Sequence, residues 1–149
     1  FTYAAQPGPA RHAIVAGGSG ITPVLAIAAD ILAADPGTHI DLVLANRTPA
    51  TAVLRHEVAA LADATHGRLR VTDVYSRVQV PGERFGRIDE PLLAERFPAP
   101  GDIAHWWLCG PEGLLTRTEA WLAGRGIPTE RVHRERFTTT GPVDPAPAN

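Results

Sequence analysis

The chain has 149 residues, 44% apolar and 20% charged, which fits one globular domain with a sizeable core. A formal net charge of −2 and the lack of an uninterrupted apolar stretch of spanning length speak against nucleic-acid and membrane partners. A single cysteine, Cys109, leaves no internal disulfide or thiolate metal cluster and fits a reducing cytoplasm. All 14 basic residues are arginine and methionine is absent, so the sequence reads as a processed chain or a domain cut from something longer.

Residues 1–11 read as an arriving linker, broken by Gln6-Pro7-Gly8-Pro9. His12 to Ala16 is an apolar strand of the buried parallel kind. It runs into Gly17-Gly18-Ser19-Gly20-Ile21-Thr22-Pro23, with Thr22 expected as N-cap and Pro23 at the first helical position. A helix from Val24 to Ala34 follows, with Val24, Ile27, Ala28, Ile31 and Leu32 along one face. His39 to Ala45 is the second strand, Asn46-Arg47-Thr48-Pro49 a loop, and Ala52 to Ala64 a helix carrying Leu54, Val58 and Leu61. Leu69 to Tyr75 is the third strand, and Ser76 to Gly86 is irregular. Asp89 caps a short helix to Phe97, and Ile103 to Cys109 is a fourth strand. Gly110-Pro111 opens a helix with Leu114, Leu115, Thr118, Trp121 and Leu122 on one side, and Arg131 to Phe137 is a fifth strand. Residues 138–149, with three threonines and three prolines, read as a linker. Strands alternating with helices predict an α/β fold, a parallel sheet covered on both faces, with ligands beyond the carboxyl ends of the strands.

The candidate chemistry falls at those ends. Glycines 17, 18 and 20 let the backbone approach a ligand, and the amides of the following helix start favour an anion. The turn lacks the Lys-Ser/Thr of a P-loop and departs from G-x-G-x-x-G; a dinucleotide pyrophosphate fits it best. After the second strand stands Asn46-Arg47, where sites that hold a ribose hydroxyl place a carboxylate. Ser76-Arg77 ends the third strand and Arg84 lies further on, a set suited to a phosphate monoester; the plain alternative is solvated surface charge. Cys109-Gly110-Pro111 admits a thiolate at a helix N-terminus, a small group beside a flat ring, or a buried small hydrophobe. His133, Glu135 and Phe137 share one strand face, as a ligand edge would use them or as any alternating strand would. The six histidines are scattered without metal spacing, Trp106 and Trp107 belong to the core, and no hydrolase elbow occurs.

In their order, Gly-Gly-Ser-Gly-Ile-Thr-Pro, Asn-Arg-Thr, Ser-Arg, Cys-Gly-Pro and the closing His-x-Glu-x-Phe resemble the pyridine-nucleotide domain of the ferredoxin–NADP reductase superfamily. Within it the chain is most similar to oxygenase reductases fused to a plant-type ferredoxin. The resemblance implies a Rossmann-like five-stranded parallel sheet of order 3-2-1-4-5 over residues 12–137. It implies that Gly17 to Thr22, with Pro23, hold the pyrophosphate, and that Thr22 reaches toward the nicotinamide. Ser76 and Arg77 would grip the 2′-phosphate of NADP(H), helped by Arg47 and Arg84, and Asn46 would belong to the cofactor-binding set. Cys109, with Gly110 and Pro111, would lie near nicotinamide C4, and Glu135 and Phe137 would touch flavin and nicotinamide. An FAD barrel before Phe1 and a 2Fe-2S ferredoxin domain after the final linker would complete the parent chain and pass electrons to an oxygenase. By itself the stretch would bind nucleotide and have no flavin to reduce. A non-catalytic nucleotide-binding or interaction module, or an NADH-using reductase, is the competing expectation.

Overall fold

Strand β1 (Arg11–Gly17) is apolar at consecutive positions because both of its faces are covered. Ala13 and Val15 enter one core cluster, Ile14 and Ala16 the other. A computed structural model describes residues 1–4 and 8–136; Phe137 and the expected C-terminal linker lie outside them. Helix α1 (Ile21–Ala34) buries Val24, Ile27, Ala28, Ile31 and Leu32 as the periodicity predicts. Each fully buried side chain of that size contributes about 1.5–3 kcal/mol. Strand β2 (His39–Asn46) and helix α2 (Arg55–Ala64) follow, then β3 (Leu69–Tyr75), the two-residue β4 (Arg84–Phe85) and α3 (Glu90–Arg96). Strand β5 (His105–Gly110), helix α4 (Glu112–Gly124) and β6 (Val132–Arg136) complete the described chain.

The strands form one sheet of order β4-β3-β2-β1-β5-β6, and every pairing is parallel. Five of them stand in the expected sequence. The sixth, β4, is a correction: Arg84 and Phe85 pair with Val74 and Tyr75 inside a segment read as irregular. Two residues flanked by glycine and proline carry no periodicity from which a strand could be read. The chain walks outward from β1 to β4, then crosses back to place β5 on the other side of β1. A crevice therefore opens between the β1 and β5 ends, where strand order reverses.

Helices α1 and α2 cover the face with Ile14, Leu42, Leu44 and Trp107, while α3 and α4 cover the face with Val15, Val43 and Trp106. Both tryptophans are core residues, 0% and 1% exposed.

Three boundaries move. Gly18–Gly20 forms a 3-10 turn that continues directly into α1, so Gly20 is the N-cap and Thr22 and Pro23 lie inside the first turn. A proline there is tolerated because first-turn N–H groups have no intrahelical acceptor. Helix α2 starts three residues late because Thr48 and Thr51 cap a 3-10 turn at Pro49–Thr51, and Leu54 turns left-handed (φ 57°) ahead of the helix. Strand β5 starts at His105, after a 3-10 turn at Pro100–Asp102.

Candidate functional site

The glycine turn is shaped first by packing. A Cβ on Gly20 would stand 2.5 Å from the Cys109 carbonyl oxygen, so the turn rests directly on the end of β5. A Cβ on Gly17 would meet Leu114 Cδ2 at 3.1 Å and Pro111 Cδ at 3.2 Å, which brings the first turn of α4 against the same backbone. Gly18 differs: its φ of +56° favours glycine, and the space beside it is open. Neither α1 nor α4 has a side-chain cap, so the amides of both first turns lack that partner. Glu112 in the first turn of α4 is bound by Arg134 at 2.6 Å.

These elements border a cleft of about 570 Å³. Gly17, Gly18 and Ser19 form one wall and Pro111, Gly113, Leu114 and Arg117 of the α4 region continue it. Asn46 and Arg47 from the end of β2 and Ser76 from the end of β3 also line it, with Arg87 and Ile88 from the segment after β4. Ladder bonds continue past both strands: the Ser76 N–H donates to the Asn46 carbonyl and the Arg77 N–H to the Arg47 carbonyl, each at 3.0 Å. Asn46 is 8% exposed, and its side-chain amide nitrogen is buried without a partner among the described residues. Among the described residues that line this cleft there is no carboxylate.

The structure therefore brings together Gly17, Gly18, Ser19, Asn46, Arg47, Ser76 and Pro111 at one cleft. Gly20 lies beneath it, and Thr22 is exposed on the first turn of α1 with Pro23 half-buried beside it. Arg77 is exposed and is not among the cleft-lining residues. Arg84 does not line the cleft: its guanidinium pairs with Glu95, and it borders a neighbouring pocket with Phe85 and Leu92, while Arg87 borders both.

Cys109 is 1% exposed, and burial, followed by the Glu135 carboxylate, pushes its thiol up. That environment disfavours thiolate chemistry. Gly110 turns at φ +154° against Gly17, and Glu135 stands opposite Cys109 in the β5–β6 register. The Glu135 carboxylate accepts a bond from the α-amino group of Phe1 at 3.0 Å. Phe137 lies outside the described residues.

Two cleft arginines escaped the sequence reading, Arg87 and Arg117. Arg87 sits three residues past Arg84, and only the pairing of β4 decides which of the two faces inward. Helical spacing sets Arg117 beside buried Leu114, but spacing alone does not tell which border of that face meets a ligand.

Among the described residues no group of three or more histidine, cysteine, aspartate or glutamate side chains is placed to hold a metal ion, and no helix is long and apolar enough to cross a membrane.

Residues 14–120 match the oxidoreductase NAD-binding domain family. One component of the 1,2-phenylacetyl-CoA epoxidase of Escherichia coli K12 is 32% identical over 135 residues, 88% of this chain and 38% of that protein. NADH-cytochrome b5 reductase 1 of Pyricularia oryzae is 33% identical over 149 residues, 92% of this chain and 46% of that protein. The crystal structure of the Amycolatopsis cytochrome P450 reductase GcoB superposes with a TM-score of 0.77 at 26% identity, over 91% of this chain and 40% of that one. The chain spans less than half the length of the curated relatives it matches.

Proposed function

The chain belongs to the oxidoreductase NAD-binding domain family, the nucleotide-binding part of flavin-dependent, ferredoxin-reductase-like enzymes, and we propose that its cleft selects NADPH. One observation carries the choice: the cleft has three arginines and no carboxylate among its lining residues. A site built for an unphosphorylated adenosine ribose usually sets an acidic side chain after the second strand, and Asn46-Arg47 stands there instead. Ser76, Arg47 and Arg87, all lining the cleft, supply a hydroxyl and two guanidinium groups, a donor set matched to the dianionic 2′-phosphate. The unpartnered Asn46 amide adds a donor that a ribose or phosphate oxygen would satisfy. Arg87 takes the assisting role expected of Arg84, which Glu95 already engages.

The remaining residues orient and exclude. The glycine turn and the uncapped start of α1 hold the pyrophosphate through backbone N–H groups. Thr22, exposed on the first turn of α1, is in this reading the residue that reaches toward the nicotinamide. Cys109 keeps its proton and offers a small apolar surface against a ring. Glu135, across the β5–β6 pair, closes that side. When bound in the whole protein, the reduced nicotinamide supplies a hydride to a flavin held by another domain, which feeds an iron–sulfur centre and an oxygenase component. The names of the Escherichia coli epoxidase component and the Amycolatopsis P450 reductase support that oxygenase setting. The fungal relative named for NADH supports the competing cofactor.

Calorimetric titration with 2′-phospho-AMP and with AMP separates the two. NADPH selection predicts a preference for 2′-phospho-AMP of about 10-fold or more, since each charge-assisted bond contributes about 1.5–3 kcal/mol. Equal affinities would overturn the NADPH assignment and leave NADH.

A further inference from the structure

We propose that Arg117 of α4 is a pyrophosphate-binding residue, a contact that serves NADH and NADPH alike; the inference rests on the nucleotide reading of the cleft. Arg117 and the glycine turn border the same cleft. The Arg117 side chain folds back along α4, so that Nη1 lies 3.4 Å from where a Cβ on Gly113 would stand. Glycine is a poor helix former, and a longer side chain at 113 would occupy the space the guanidinium uses. The guanidinium thus sits over the first turn of α4, the turn whose Pro111 and Leu114 pack on Gly17. Arg47, Ser76 and Arg87 reach the cleft from other elements, just past the ends of β2, β3 and β4.

The location is electrostatically uneconomical without a ligand. The start of α1 carries neither a side-chain cap nor an acidic residue, and the one carboxylate in the first turn of α4, Glu112, is engaged by Arg134, so a further cation beside these helix N-termini is unfavourable. The ion pairs of the described residues engage Arg11, Arg70, Arg84 and Arg134 but not Arg117. A pyrophosphate between the glycine turn and α4 neutralises both helix ends and takes the guanidinium fork through its oxygens.

The test uses the whole chain and two probes that divide the nucleotide: ADP-ribose, which has the pyrophosphate and no 2′-phosphate, and adenosine 2′-monophosphate, which has the reverse. Arg117→Gln is expected to bind ADP-ribose about 10- to 100-fold more weakly and adenosine 2′-monophosphate as the wild type does. Arg87→Ala is expected to show the opposite pattern. Arg117 is exposed, so thermal melting of Arg117→Gln should match the wild type. If the wild type binds ADP-ribose and Arg117→Gln binds it equally well, Arg117 is no phosphate ligand. If the variant loses only adenosine 2′-monophosphate, Arg117 belongs to the 2′-phosphate and the pyrophosphate assignment falls. Failure of the wild type to bind either probe would instead remove the nucleotide reading of the cleft, and Arg117 with it.

Discussion

The two edges of the sheet use basic side chains in opposite ways. At the amino edge Arg11, Arg68 and Arg70 are committed. Arg68 donates to the carbonyls of Leu32 and Asp35 at 3.0 Å and of Thr38 at 3.2 Å, closing the end of α1. Arg11 and Arg70 flank the buried Asp41 at 3.3 and 3.7 Å. His12 accepts a bond from Trp107 Nε1 at 3.1 Å, His105 and His133 share one at 2.9 Å, and His133 stacks on Trp107 with centroids 4.2 Å apart. At the carboxyl edge Arg47, Arg87 and Arg117 border an open cleft, and the ion pairs of the described residues leave them out. Helix direction explains the contrast. In a parallel sheet with crossover helices, helix carbonyl ends gather at the amino edge and N–H ends at the carboxyl edge. Cations at the first edge find internal acceptors; at the second, Arg47, Arg87 and Arg117 border the cleft without an ion-pair partner among the described residues.

The largest test of this contrast is at the seam under the cleft. Gly20→Val drives a Cβ into the Cys109 carbonyl and should cost about 3 kcal/mol or more in urea denaturation. Gly18→Ala, with open space but φ +56°, should cost only about 1–2 kcal/mol. Similar costs at both positions would mean that the turn does not rest on β5.

Next comes the histidine edge. Burial, with His105 and His133 nearby, lowers His12 from 6.5 to about 4. Burial also lowers His105 and His133, assisted by Arg131 and by His105 respectively. A histidine whose folded pKa lies below its unfolded value binds fewer protons when folded. Its contribution is therefore fully present above pH 6.5 and is lost as pH falls to about 4, a change of roughly 3 kcal/mol for His12. Unfolding midpoints measured across that window should fall steeply for the wild type and less steeply for His12→Gln. Parallel slopes would show that His12 does not titrate as a buried group.

At the cleft, Arg87→Ala should weaken 2′-phospho-AMP by about 10- to 100-fold and leave AMP unchanged, read by calorimetry. The smallest effect belongs to Arg84→Ala. It breaks an exposed pair with Glu95, should change stability by less than about 1 kcal/mol, and should leave nucleotide affinity as it was. A loss of 2′-phospho-AMP binding in Arg84→Ala alone would exchange the roles of Arg84 and Arg87.

Much of this was legible in the linear pattern. The consecutive apolar residues of β1, the spacing of Val24, Ile27 and Ile31, and the capping Asp89, whose side chain accepts from the Leu92 N–H at 3.0 Å, each report a local physical requirement. The glycine turn, Asn46, Arg47, Ser76 and Pro111 were legible as one cluster because each stands at or just past the end of a strand, and strand ends meet at one edge. Two helix starts were misplaced because a 3-10 turn before a helix carries no apolar period.

The sequence by itself determined the alternation of buried strand and amphipathic helix, and with it a parallel sheet whose carboxyl edge faces a ligand. Burial and helical period are properties of neighbours in the chain, so a linear reading reaches them. Only the tertiary structure decided which arginines serve that edge. Arg84 and Arg87 are three residues apart, yet Glu95 draws one away while the other enters the cleft. Arg117 arrives from a helix brought beside Gly17 by the crossover from β4 to β5. An arginine's reach spans several residues of backbone, so its role depends on which charges the fold sets around it.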